Sequence, residues 1–342
     1  MKKSLATIAI ALAASLSLTA CDPPMPPEVL ASLAEQTYTC ETGDTQLAAI
    51  PVVAAVAADW QMGVEMNCPG MTITPVEVAT DATALQIHES NQLATGSVFS
   101  SVPFAVDAVV LAASLPDITN VNLSASVIEK ISLGQITNWS DPAIAELNSS
   151  FEMPDLAIAF GSELTATEAL PLASWLSRLL SKNFEFGAAP ATLEESSDGS
   201  LVLTKFSRAS EFTSTMVAIV TKETPDGVIP AGESITTAAT MFKGKSENGI
   251  LALTFDPKAT PIAPDGINEV PAPYEAVSII TLSLVGEDTP ATRAAARYVL
   301  RQDSQGSLGL SYVLALPESL RAIALAEVSK GLPMPTLAPE GN

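Results

Sequence analysis

The chain has 342 residues, with 16 Lys and Arg against 38 Asp and Glu, a formal charge of −22 and an apolar fraction of 47%. That excess of negative charge repels polyanions and argues against nucleic-acid binding, which needs clustered cations to displace counterions. A single histidine, His88, and three cysteines give no basis for a histidine-built metal site or a Ser-His-Asp triad. The composition therefore points away from an enzyme, a metal centre or a cofactor.

Lys2 and Lys3 precede an apolar run from Ala6 to Leu18, closed by Leu18-Thr19-Ala20-Cys21, the pattern of a signal peptide with a lipoprotein box. The run is too short to span ~30 Å of hydrocarbon as a helix. The expectation is export: residues 1–20 are removed, Cys21 carries lipid on its sulfur, residues 21–35 form a tether, and the protein is anchored to the extracytoplasmic side of the cell membrane. Cys40 and Cys68 remain, and in an oxidising compartment two such cysteines are expected to form a disulfide.

Helical and strand-like patterns alternate along the chain, which favours an α/β architecture. Thr37 to Cys40 reads as a first strand, Glu41 to Thr45 as a polar glycine turn, and Leu47 to Trp60 as an Ala-rich helix. Met71 to Val78 reads as a second strand, and Ala79 to Thr83 opens a further helix. Val106 to Ala112 is a buried strand by its continuous apolar run. Leu156 to Phe160 is another, and Gly161 to Glu168 leads from it into a helix containing Trp175. Three strand-to-helix turns rich in hydroxyls could aim backbone N–H groups at a small anion, although capped helices of no ligand relevance use the same residues. Asn183 to Gly199 is loop-like, Met216 to Val220 a strand, and Phe255 to Pro273 a surface connection. Val277 to Val285 is then a long buried strand, Thr289 to Arg301 a helix, and Leu308 to Leu316 a last apolar stretch.

Near the middle lies Leu133 to Asn148, L-G-Q-I-T-N-W-S-D-P-A-I-A-E-L-N. A helix begins at the N-cap Ser124 and should stop at Gly134, which accepts the left-handed backbone of a helix C-terminus. Asp141 is suited to cap the next helix, with Pro142 at its first position, and Trp139 to pin the connection to the body of the protein. The segment resembles the L-G-x-I-x-x-W-x-D-P-x-I-x-x-L-N stretch of the PstS family, the phosphate-binding proteins of bacterial ABC importers. Gly309 to Pro317 is similar to that family's G-Y-V-x-L-P ending, and Thr224 to Ile229 to its T-P-G-x-I-G-Y turn, with Pro230 in place of the second glycine.

The resemblance implies a two-lobed type II periplasmic-binding-protein fold, with a double-crossover hinge and a ligand cleft between the lobes. It divides the chain into a discontinuous lobe 1 (residues 36–112 and 275–330), lobe 2 (residues 113–274) and a tail (residues 331–342). It also implies a ligand set. Thr45 follows Gly43-Asp44 in the place of a G-A-T-F turn, Thr80 and Asp81 stand in the place of an A-S-D turn, and Ser162, Thr165 and Thr167 in the place of an R-S-D-G-S-G-T turn. Asp81 would accept a hydrogen bond from a protonated phosphate oxygen. The third turn departs from the family, with Gly161 for its arginine and Leu164 and Ala166 for its glycines, and Asp44 adds negative charge to the first. The function implied is a monomeric solute-binding subunit that delivers phosphate or a related small oxyanion to ABC permease subunits. The alternative is a diverged relative without tight ligand binding, acting as a protein-interaction module at the envelope.

Overall fold

The computed structural model describes residues 40–332; the signal peptide, Cys21, the tether, Thr37 to Thr39 and residues 333–342 lie outside them. In chain order the structure runs β1 (Gly43–Ala49), α1 (Pro51–Asn67), β2 (Met71–Val76), β3 (Leu85–Glu89), β4 (Val98–Ala113), β5 (Val121–Ser124), α2 (Ala125–Ser132) and α3 (Pro142–Leu147). It continues with β6 (Ala159–Ser162), α4 (Leu170–Leu180), β7 (Ala189–Pro190), β8 (Ser200–Lys205), α5 (Phe206–Glu211), β9 (Thr215–Val220), α6 (Gly232–Ala239), β10 (Phe242–Glu247) and β11 (Ile250–Phe255). β12 (Val277–Val285), α7 (Pro290–Val299), α8 (Gln302–Gly306), a 3-10 turn (Ser307–Ser311), β13 (Leu314–Ala315) and α9 (Glu318–Val328) complete it.

One curled sheet carries the order β2-β1-β3-β12-β4-β8-β6-β7. β1 is parallel to β2 and β3, β12 is antiparallel to both β3 and β4, and β6 is parallel to β7 and β8. The 16-residue β4 joins the two halves: Val98 to Ala108 pair with β12, and Val109 to Ala113 pair with β8. The chain returns beside it at Tyr274, whose hydroxyl donates to the Val109 carbonyl at 3.0 Å and whose ring meets Trp175 edge-on. β4 and the chain at Tyr274 thus run side by side where the two sheet halves meet.

The central segment forms as its residues dictate. Ser124 Oγ accepts from the Val127 N–H, Gly134 adopts φ +67°, and Asp141 accepts from the Ala143 N–H with Pro142 at the helix start. Trp139 is fully buried, and its Nε1–H donates to the Gly199 carbonyl at 2.9 Å. Asn148 closes the segment by bonding both the N–H and the carbonyl of Asn122 on β5. These sixteen residues clamp the edge of the second sheet half.

The first third of the chain departs from the sequence expectations. Gly43, Asp44 and Thr45 lie inside β1 rather than in a turn after it, and the helix starts at Pro51, not near Leu47. No helix opens at Ala79; a bend at Glu77–Val78 and one turn at Asp81–Ala82 lead into β3. The Ala-rich composition hid the first boundary. Thr80 and Thr83 satisfy the second loop by bonding one another, which makes a compact turn where a helix start was expected. The Cys40–Cys68 disulfide is present, with Cα atoms 5.3 Å apart, tying the segment just before β1 to the end of α1.

Candidate functional site

The carboxyl ends of β3 and β8 face a cleft of about 640 Å³, lined by His88 to Ala94, by Ser101 and Pro103 of β4, by one side of β12, by the β10–β11 hairpin, and by Thr167, Glu168 and Pro171. Lys205, the last residue of β8, is the only Lys or Arg lining it among the described residues. Its side chain reaches across from one sheet half to the other. Nζ donates to Glu89 Oε2 at 3.0 Å and to Ser278 Oγ at 2.7 Å, leaving one of the three ammonium protons without a partner among the described residues. Lys205 is 8% exposed, so this charge acts in a medium that screens it weakly.

Asp107 lies behind the lysine. It is buried on β4 and accepts from the Ala108 N–H, the Ser207 N–H and Ser207 Oγ, at 2.7, 3.1 and 2.6 Å. Burial pushes its carboxyl above the ordinary value, while the charge of Lys205 and these hydrogen bonds pull it down. The bonds to Ser207 fix the first turn of α5 and hence the place of Lys205 immediately before it. On the other wall, His88 Nδ1 lies 2.9 Å from the Glu89 carbonyl, which only accepts, so Nδ1 carries the proton. In the neutral ring Nε2 then accepts from Ser283 Oγ at 2.9 Å, and Ser283 meets Ser101 at 3.1 Å.

Of the six ligand positions expected from sequence, Thr167 alone lines this cleft. Thr45 is buried in β1, opposite Ile73 of β2. The strand-to-helix turn after β1 is Ala49-Ile50-Pro51, where Ile50 offers no side-chain cap. Asp44 instead accepts from Thr72 Oγ1 at 2.6 Å. Thr80 is engaged with Thr83, and the exposed Asp81 lies in the loop after β2, outside the cleft lining. Ser162 bonds both the N–H and the carbonyl of Leu164.

The third turn presents its donors to an internal carboxylate. Glu168 Oε2 accepts from the Thr165 N–H at 2.8 Å and from Thr165 Oγ1 at 2.7 Å, while Thr165 Oγ1 accepts from the Glu168 N–H, a capping box that leads into α4. Gly161 has a steric reason of its own: a Cβ there would stand 2.2 Å from the Ala191 Cβ. No arginine fits at that position. Sequence reasoning missed Lys205 and Glu89 because each is a single charge at a strand end, and only the sheet order brings their strands to opposite walls of one cleft.

No family model matches the chain. A stretch of 58 residues, 16% of this chain and 17% of its relative, is 43% identical to the phosphate-binding protein PstS of Pasteurella multocida (strain Pm70). Among solved structures, a high-affinity periplasmic phosphate-binding protein (PfluDING), determined with phosphate bound, superposes with a TM-score of 0.51 at 11% identity, over 83% of this chain and 93% of that one. A phosphate-binding protein from Stenotrophomonas maltophilia gives a TM-score of 0.48 at 12% identity, with the same coverage of both chains. The superposition on the PfluDING structure gives the chain the type II periplasmic-binding-protein fold. Within that class, its likeness is to PstS-type phosphate-binding proteins.

Proposed function

We propose that this protein is an extracytoplasmic, lipid-anchored solute-binding subunit of an ABC importer, taking phosphate or a related small oxyanion into the cleft and holding it by closure of two lobes. The observation that carries this reading is the Lys205–Glu89 pair. An oxyanion with one proton accepts from the remaining N–H of Lys205 and donates its O–H to Glu89. A fully deprotonated oxyanion of the same shape meets the carboxylate with lone pairs only. Lys205 supplies the cation that Gly161 cannot, from a different strand. The lobes divide near 112/113 and 274/275, except that the β10–β11 hairpin stays with lobe 1, since the Gly249 carbonyl accepts from the Ser101 N–H and from Ser100 Oγ of β4.

A second reading, a diverged module that binds a protein partner instead of a solute, is favoured by Glu168, which occupies the donors of the third turn. Titration calorimetry of the full chain in detergent separates the two. Phosphate heat that falls at least tenfold in affinity with Lys205→Met, with sulfate silent, supports the solute reading. Silence of the unmodified protein with both ions and with organic phosphate monoesters sinks it in favour of the interaction module.

A further inference from the structure

The cleft is far larger and more apolar than a small inorganic ion requires. Five heavy atoms fill on the order of 150 Å³ at roughly 30 Å³ per water-sized group, against about 640 Å³ here, and clefts of roughly 300 to 1,000 Å³ ordinarily enclose organic ligands. The charged groups, Lys205 and Glu89, lie at one side. Away from them the lining includes Leu93, Val98, Pro103, Phe242, Leu251 and Leu253, among polar residues such as Asn91 and Gln92. Leu93 is 94% exposed, and Val98 and Ile250 are 36% and 40% exposed at the same cleft, so several large apolar side chains border it with little over them among the described residues.

Closing the lobes does not remove this space. The apolar wall is the β10–β11 hairpin, tied to Ser100 and Ser101 of β4 through Gly249 and to α9 through the Ser246–Glu327 hydrogen bond. The opposite side, His88, Glu89 and Ser278, lies on β3 and β12 of the same sheet half. Wall and polar floor therefore move as one body, and the volume between them persists whatever the other half does.

Resting on the oxyanion reading above, we infer that the ligand is an oxyanion carrying an apolar substituent, such as a phosphate or phosphonate monoester, with its charged head at Lys205 and Glu89 and its hydrocarbon against the hairpin. The full chain is titrated calorimetrically with inorganic phosphate, methyl phosphate, n-butyl phosphate and phenyl phosphate. The expected result is an affinity that rises along the series, at least tenfold from inorganic phosphate to n-butyl phosphate, or about 1.4 kcal/mol. Ile250→Ser, a change at a part-exposed position of the hairpin, should at least halve the advantage of n-butyl over methyl phosphate. Equal affinities for all four probes overturn the substituent site and leave the oxyanion reading standing. Heat from none of them overturns both.

Discussion

Replacing Lys205 by Met tests the cleft pair through stability, independently of any ligand. The change keeps the aliphatic stem and removes the ammonium. Glu89 then loses its partner at 3.0 Å, Ser278 loses its donor at 2.7 Å, and Asp107 loses the one opposite charge that moderates its burial. Removing one member of a buried pair costs about 3 to 5 kcal/mol. With the two side chains 10% and 14% exposed, the lower end applies, so about 3 kcal/mol is expected. Glu89→Gln leaves Lys205 facing Asp107 and Ser278 and should cost about 1 kcal/mol, a hydrogen bond kept and a charge lost. The double variant spares Glu89 its isolation and should be more stable than the sum of the two by about 1 to 2 kcal/mol, within the range of coupled neighbours. Urea unfolding at neutral pH, with unchanged denaturant dependence as the check that compactness is preserved, measures all four states. Additivity within about 0.5 kcal/mol would refute the claim that the pair links the two sheet halves.

The pH dependence should carry the signature of Asp107. Its folded-state carboxyl is raised above 3.8 by burial, against the pull of Lys205, so the folded protein holds this proton more tightly than the unfolded chain. Stability from this group is fully present below pH 3.8 and is lost as pH rises through the raised folded value; urea midpoints across that window should flatten in Asp107→Asn. Gly161→Arg should destabilise by about 1 to 3 kcal/mol through overpacking against Ala191 and should not raise phosphate affinity, readable by thermal melting and calorimetry. Replacing Cys40 and Cys68 together by Ser opens a loop with a sequence separation of 28 residues, expected to cost about 3.5 kcal/mol by chain entropy and measurable by urea unfolding of the oxidised protein and the double variant.

The legible parts of the fold were those fixed by local chemistry. Asp141 and Pro142 suit a helix start, Gly134 ends one, and Val277 to Val285 matches its strand to the residue, because a stretch rich in Val, Ile, Thr and Leu, interrupted only by the small Ser278 and Ser283, favours a buried strand. Boundaries failed where neighbouring residues favour either structure. Leu47-Ala48-Ala49 reads as helix by composition, yet it pairs with β2 and β3, a tertiary override of propensity. The β10–β11 hairpin went unrecognised although Asn248-Gly249 is a hairpin turn signal, with both residues at positive φ; Lys243, Lys245 and Glu247 beside it obscure the alternation. The site was the least legible element. Its residues, Glu89 and Lys205, are 116 positions apart, and no local pattern marks either.

The position of β12 has a consequence for the order in which the protein can be made. This strand, drawn from late in the chain, lies between β3 and β4 and hydrogen-bonds to both. Until it emerges from the ribosome, two strands synthesised long before it have open edges facing a gap that only β12 fills, edges that invite pairing with other chains. The first sheet half can therefore be completed only near the end of synthesis, after long-range contacts that form slowly. A chain whose synthesis stops before Val277 has no way to close its sheet.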